Sequence, residues 1–356
     1  MDPAIRARFA PAEGLTYLDT ATYGLPSAAT LAALAHASEL WAAGTADWIA
    51  DWDKRGEDAR ASFARLIGTT PDRVALLPSV SVGVGLIAAT LGPGDEVVVP
   101  EGEFTSVLFP LLVAGGAGAR TREVPFEALA DSIGPATTLV VFSLVQMQTG
   151  RLADVDAILD AAERVGARVV VDATQALPFV PLEGRLDRID LLVAAAYKHL
   201  LCPRGVAFGV FRPERIPDVP PIDANWRSAD RPYGRYFGGP LTLPDTAARF
   251  DVSLAWFPWV GAAVALAELA EWRESGALEP PLALARSMAD GLGVPYGGAS
   301  LVVAPIADID ALRATLASNR IRAAVRGTGV RLSTHVYNDE RDVERAVRAI
   351  APLVTR

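Results

Sequence analysis

The sequence predicts an α/β chain: a mainly parallel, doubly wound sheet followed by a smaller α+β unit. Three observations carry this. Short runs of Val, Leu and Ala recur, as in EVVVP, TLVVFS and RVVVDA, and such runs suit strands buried on both faces. Helical patterns lie between several of these runs, and alternating strands and helices build parallel sheets through crossovers. The chain has 356 residues, 51% hydrophobic and 21% charged, enough for about two domains and too apolar for disorder.

Taken in order, residues 1–24 form an N-terminal segment ahead of the first domain. Strands are expected at 74–77, 96–100, 138–143, 168–173, 190–196 and 206–211. Helices are expected at 84–91, 106–114 and 153–165, the last carrying Ala157, Leu159 and Ala161 amid Asp and Glu. Residues 212–246 are rich in Pro, Gly, Arg and aromatics and read as a long irregular connection, a length that is commonly functional. A helix is expected at 260–272. Short pieces such as SLVVAPI, DIDALRATLASNR and GVRLST follow in α+β texture. These patterns predict a large domain over 25–240 and a small one over 241–356.

Composition narrows the function. The longest apolar stretch, 252–267, is broken by Pro258 and falls short of the ~20 residues of a membrane span. The N-terminus lacks the apolar region of a secretory signal, and a lone Cys202 fits a reducing compartment, so a cytoplasmic protein is expected. With 33 basic against 42 acidic residues, net −9, neither nucleic acid nor an anionic membrane is an expected partner. His36, His199 and His335 are well separated, which leaves little for a metal site.

Lysine is the informative residue. Of the 33 basic residues only Lys54 and Lys198 are Lys; the other 31 are Arg. Lys54, in DWDKRGED, reads as one solvated charge among several. Lys198 lies between apolar residues in DLLVAAAYKHLL. Arg cannot replace lysine where a deprotonatable primary amine is needed, and a desolvated lysine can form a Schiff base. A lysine snorkelling from a strand end is the plain alternative. Asp172 closes RVVVD, with Gln175 just beyond it, and Lys198 closes the next strand run. Ligands of open α/β sheets sit at such carboxyl ends. A carboxylate held against a pyridine nitrogen keeps it protonated and makes the ring an electron sink, although a strand-end acid also caps turns.

LLPSVSVGVGL places Ser79 and Ser81 between a strand and a helical run, where backbone N–H groups bind phosphate and where serine also serves as a plain helix cap. Gly83 and Gly85 match a dinucleotide fingerprint, but PSVSV separates them from the strand. A nicotinamide-dependent oxidoreductase therefore stands only as an alternative. Arg331, in GVRLSTHVYN, cannot be singled out by spacing among 31 arginines.

Together these stretches resemble the class V aminotransferase family of fold type I pyridoxal-phosphate enzymes, from YLDTATYGLPS to RLSTHVYN. The resemblance implies a large domain with a mainly parallel sheet of the seven-stranded type, a small C-terminal domain and a homodimer. It implies pyridoxal 5′-phosphate as cofactor and a small amino acid as substrate. In VVVDATQALPFVPLEGRLDRIDLLVAAAYKHLLCPRGVAFGVF, Asp172 would pair with the pyridine nitrogen, Gln175 would contact the ring oxygen and Lys198 would hold the cofactor's aldehyde carbon. Tyr197 would reach the phosphate, as in kynureninases. Ser79, Val80 and Ser81 match the first phosphate-contacting turn, Phe104 matches the residue stacking on the ring, and Arg331 matches the clamp for the substrate carboxylate.

The chain also departs from the family pattern. Desulfurases place His at the stacking position and a persulfide-accepting cysteine in the C-terminal third; here stand Phe104 and no cysteine after Cys202. Met147 replaces a common Asn, leaving Gln146 or Gln148 as ring-oxygen or substrate contacts. RFDVSLAWFPW replaces RFExGTxN, making Trp256 a candidate pocket wall. Tyr23, Trp48, Trp52 and Trp226 are further candidates for an aromatic lining. These features look closest to ergothioneine-pathway carbon–sulfur lyases and their lincosamide-pathway relatives. The implied activity is β-elimination of a cysteine S-conjugate, with transamination, epimerisation or decarboxylation-coupled deamination as the alternative outcomes.

Overall fold

The computed structural model describes residues 2–234, 236–327 and 329–355. The chain opens with α1 (Pro3–Arg6) and β1 (Thr16–Tyr17), then α2 (Ala28–Ala43) and α3 (Arg55–Ile67). Strands β2 (Val74–Leu77), β3 (Glu96–Pro100), β4 (Arg120–Val124), β5 (Thr137–Ser143), β6 (Arg168–Asp172), β7 (Leu191–Ala195) and β8 (Ala207–Phe211) form one sheet in the order β2-β8-β7-β6-β5-β3-β4. Its inner pairs are parallel, and only β8 runs against its neighbours. Helices α4 (Val80–Ala88), α5 (Thr105–Ala114) and α6 (Val155–Val165) connect its first five strands together with shorter turns. Two apolar clusters are separated by the sheet, because alternate residues of each strand face opposite sides: Val98, Val140 and Val171 in one, Val97, Val141 and Val170 in the other.

The predicted strands are all present, and β4 is an addition. Its sequence RTREV is exposed or half-buried except at Val124 because it lies at the sheet edge, so it lacks the apolar run of a central strand. The dinucleotide-like glycines lie inside α4. A Cβ on Gly83 would come within 2.7 Å of Val193, so that glycine serves close helix–strand packing, not a phosphate-binding turn.

Helix α7 (Trp256–Glu274) packs on α3 and α2 and contributes Trp259, Leu266 and Trp272 to the core of the large sheet. A separate core begins at α8 (Pro280–Leu292). It continues through β9 (Leu301–Pro305), α9 (Ile309–Ser318), β10 (Ile321–Arg322), β11 (Ala324–Arg326), β12 (Gly329–Ser333) and α10 (Glu340–Ile350). Strands β11, β12 and β9 form an antiparallel sheet, while β10 pairs with β1, tying the N-terminal segment to this unit.

The 212–246 connection carries two 3₁₀ turns, Pro213–Asp218 and Trp226–Ser228, and no strand or α-helix among its described residues. Buried charges anchor it. Arg227 pairs with Asp53 and, at 2.6 Å, with Glu57, while Asp251 pairs with Arg60 and accepts the Leu76 N–H at 2.9 Å. Replacing Asp251 with Ala would leave that N–H unpaired and Arg60 one partner short, and breaking a buried pair costs about 3 kcal/mol. Urea unfolding should show that loss; a change below about 1 kcal/mol would contradict it.

Candidate active site

The carboxyl ends of β2, β3, β5, β6 and β7 open on one cavity of about 160 Å³, lined by Ser79, Phe104, Asp172, Gln175, Tyr197 and Lys198 among others. Ser143 and Asp172 end adjacent strands in register. Asp172 accepts the Thr174 N–H at 2.8 Å, and Thr174 Oγ1 in turn accepts the Ala195 N–H at 2.9 Å. This turn aims the carboxyl from the strand end. Burial raises the Asp172 pKa, and the charge of Lys198 opposes that rise, so a cation facing the carboxyl favours its ionised form.

Lys198 follows β7 and is 6% exposed. Its Nζ lies 5.4 Å from the Phe104 ring centroid and 5.8 Å from that of Tyr197. Burial brings its pKa down to about 8; Asp172 pulls upward, while Arg331, Arg326 and Arg204 push further down. The predicted desolvated amine is present. The N-terminal segment locks the backbone beside it: Gly24 donates its N–H to the Tyr197 carbonyl at 2.9 Å. A Cβ on Gly24 would sit 2.3 Å from the Lys198 carbonyl oxygen, an approach only glycine allows.

Ser79 caps α4, accepting the Val82 N–H at 3.4 Å and bonding Ser81 Oγ at 2.9 Å. With Val80 it places the helix N-terminus at the cavity, where the first N–H groups lack helical acceptors. Ser81 stands one residue behind, held through Ser79. Phe104 caps α5 and is fixed by a residue the sequence reading missed. Buried Glu103 accepts the Phe104 N–H at 2.6 Å, the Ser143 N–H at 2.7 Å and the Ser143 hydroxyl at 2.6 Å. Burial raises the Glu103 pKa, with Asp172 adding to the effect.

Gln175 is held on two sides. Its Nε2 donates to the Ala21 carbonyl at 3.1 Å, so its Oε1 accepts from His199 Nε2 at 3.0 Å. His199 is fully buried, its pKa driven well below the usual value by burial. Its carbonyl accepts from His335 Nε2 at 2.8 Å. Two of the three histidines thus brace the site in neutral form. Arg204, also missed, lines the same cavity with its guanidinium 5.1 Å from the Tyr197 ring centroid.

Arg331 is 2% exposed and lines an adjoining cavity of about 510 Å³ with Gln148; Met147 is common to both cavities. Its Nη2 donates to Thr22 Oγ1 at 2.8 Å, while Nε and Nη1 are buried with no partner. Gln148 donates to the Gly102 carbonyl at 3.3 Å, and Gln146 bonds Thr149 at 2.5 Å. Tyr23 is exposed and lines a shallow depression that shares Tyr197 and Arg204 with the Lys198 cavity.

The tryptophans lie elsewhere. Trp256 donates from Nε1 to Asp53 at 3.2 Å and packs 5.3 Å from both Trp48 and Trp52. Trp226 packs edge-on to Trp48 at 5.8 Å. This aromatic cluster seals the long connection against α7, and no tryptophan lines the Lys198 cavity among the described residues. Nor do the described residues contain a group of His, Cys, Asp and Glu able to hold a metal, or a helix long and apolar enough to cross a membrane.

An amine, a buried acid beside it, an aromatic wall and a serine-capped helix N-terminus fit a phosphorylated pyridine aldehyde. Comparison with known proteins agrees. The family model for aminotransferase class-V matches residues 16–236. The chain is 28% identical over 319 residues to the uncharacterized aminotransferase YcbU of Bacillus subtilis, covering 84% of each. It is 33% identical over 183 residues to isopenicillin N epimerase of Streptomyces clavuligerus, covering 47% of this chain and 46% of that protein. The cystine C-S lyase C-DES, solved with its product cysteine persulfide, shares the fold with a TM-score of 0.83 at 19% identity, covering 96% of this chain and 99% of that one. The cysteine desulfurase CsdA of Escherichia coli does so with a TM-score of 0.83 at 22% identity, covering 99% and 100%. The chain belongs to the class-V aminotransferase family.

Proposed function

We propose that the protein is a carbon–sulfur β-lyase that cleaves a cysteine S-conjugate, or its sulfoxide, to a thiol or sulfenic acid, pyruvate and ammonia. The family's cofactor is pyridoxal 5′-phosphate, whose ring, when bound, accepts the electron pair left by the departing α-proton. The observation that carries the reading is a buried amine paired with a sealed thiol. Lys198 is desolvated beside Asp172, whereas Cys202, the one cysteine, is buried, bonded to the Leu200 carbonyl at 3.2 Å, and raised in pKa by burial. A thiol so placed is a poor sulfur acceptor, which argues against desulfurase chemistry and for direct release of the sulfur fragment.

In this reading Ser79 and the first N–H groups of α4 hold the phosphate, with Arg204 and Tyr197 beside them. Phe104 supports the ring face, Asp172 holds the ring nitrogen, Gln175 offers its remaining amide hydrogen to the ring oxygen, and Lys198 holds the aldehyde carbon. Once released, Lys198 Nζ takes the α-proton, since a base with pKa near 8 is matched to neutral operation. The free Nε and Nη1 of Arg331 clamp the α-carboxylate, and Gln148 and Tyr23 border the substrate's approach. The enzyme acts as a homodimer in this reading, which sedimentation checks. The kinship to ergothioneine- and lincosamide-pathway lyases rests on the sequence resemblance.

The test is incubation of pure holoenzyme with S-alkyl cysteines and their sulfoxides. Pyruvate and ammonia in equal amounts are expected. A racemised amino acid or a keto acid that keeps its sulfur would overturn elimination. The first of these is the outcome suggested by the named isopenicillin N epimerase relative.

A further inference from the structure

The cavity next to Lys198 carries more positive charge than one α-carboxylate needs. In the β11–β12 hairpin Ala324 pairs with Arg331 and Arg326 with Gly329. Residues two apart on a strand share a face, as do cross-strand partners, so Arg326 and Arg331 project from the same face as diagonal neighbours about 7–8 Å apart. Both line the 510 Å³ cavity, together with Gln148 and Val303. Like charges in this relation repel unless an anion sits between or beside them.

No described carboxylate forms an ion pair with either guanidinium, and none lines this cavity. Arg326 has no hydrogen bond or ion pair to any described residue, and Arg331 keeps Nε and Nη1 unpaired although 2% exposed. The carboxylate acting on Arg331 electrostatically is Asp19, which lies outside this cavity; its Oδ2 accepts from Arg322 at 3.3 Å and its Oδ1 is buried without a partner. Met147 lines this cavity and the one holding Lys198, and the charges of Arg331 and Arg326 both act on Lys198, so the two cavities adjoin. The polar groups on the way, Gln148 and Thr149, carry no negative charge.

We propose that the substrate bears two carboxylates: Arg331 holds the one on the α-carbon, and Arg326 holds a second on the sulfur substituent. The inference rests on the lyase reading for the word sulfur only; the two-anion site stands on the hairpin register and the unpaired guanidinium atoms.

The test compares S-(2-carboxyethyl)-L-cysteine with its neutral isostere S-(2-carbamoylethyl)-L-cysteine, binding being read from the visible band of the holoenzyme. The wild type should bind the carboxylate about 10-fold more tightly, as expected for one added charge-assisted contact. The preference should shrink in 0.5 M salt because Arg326 is exposed. Arg326→Gln should reduce it to about 2-fold, and Arg326→Lys should restore most of it. Equal binding of the two ligands by the wild type, or a preference untouched in Arg326→Gln, overturns the proposal. Preserved discrimination without pyruvate would leave the site standing and remove the lyase reading instead.

Discussion

Lys198→Ala should abolish turnover and leave nothing for hydride to trap. Borohydride reduction of the wild-type holoenzyme should add one cofactor mass to the peptide containing Lys198, and the variant should add none. Turnover should fall about 10⁴-fold, the upper end of what a positioned base contributes. A second consequence concerns stability and has the opposite sign. The amine has a folded pKa of about 8 against an ordinary 10.5, so between those values the unfolded chain binds more protons and stability rises with pH. Below pH 8 the buried ammonium costs about 3 kcal/mol relative to strongly alkaline solution. Lys198→Met removes that cost. The cofactor-free variant should therefore resist urea better than the cofactor-free wild type at pH 7, with the gap closing towards pH 10.5. Equal midpoints at pH 7 would show that the amine is not desolvated, and the reading of this residue would fail.

The legibility of that lysine came from contrast, because a chain that places Arg at 31 of its 33 basic positions has a reason to keep an amine. The central strands were legible for a related reason: burial on both faces forces continuous apolar runs, and β3, β6 and β8 were found within a residue of their ends. Helices α2 and α3 were not anticipated. The sequence of α2, AATLAALAHASELWAA, spreads small and apolar residues around the whole helix, so no stripe marks its buried side. The hairpin register that selects Arg326 is invisible in a list of arginines, and His199 could not be linked to Gln175, 24 residues away, before the fold joined them. The candidate tryptophans lie away from the Lys198 cavity for a physical reason. Tryptophans bury best against one another, and Trp256 found its hydrogen-bond partner in Asp53, so the rings were spent on packing the long connection. The glycine pattern at Gly83 rightly stands as an alternative only, because helix–strand contact also selects for a missing side chain.

Arg331→Met should lower kcat/KM about 10²–10⁴-fold, because a substrate carboxylate carried into a buried site without its partner loses about 3–5 kcal/mol. Arg331→Lys restores charge but not the planar fork, and recovery should stay within about tenfold of the Met variant. A merely structural arginine would behave otherwise. Here Nε and Nη1 are buried and unpaired in the free protein, and burial, aided by the charge of Arg326, brings the guanidinium pKa down to about 10. Such a cation burdens the empty enzyme. Its removal should leave thermal stability unchanged or raise it, even though the Thr22 contact at 2.8 Å is lost. The decisive comparison is between an S-alkyl cysteine and its α-carboxamide. The wild type should prefer the acid by a large factor, and Arg331→Met should treat the two nearly alike. If both substrates instead lose activity in parallel and the melting temperature drops, Arg331 holds the hairpin together and the carboxylate is bound elsewhere. The two results cannot be confused, because losing a strut lowers stability whereas losing a clamp leaves it unchanged or raised.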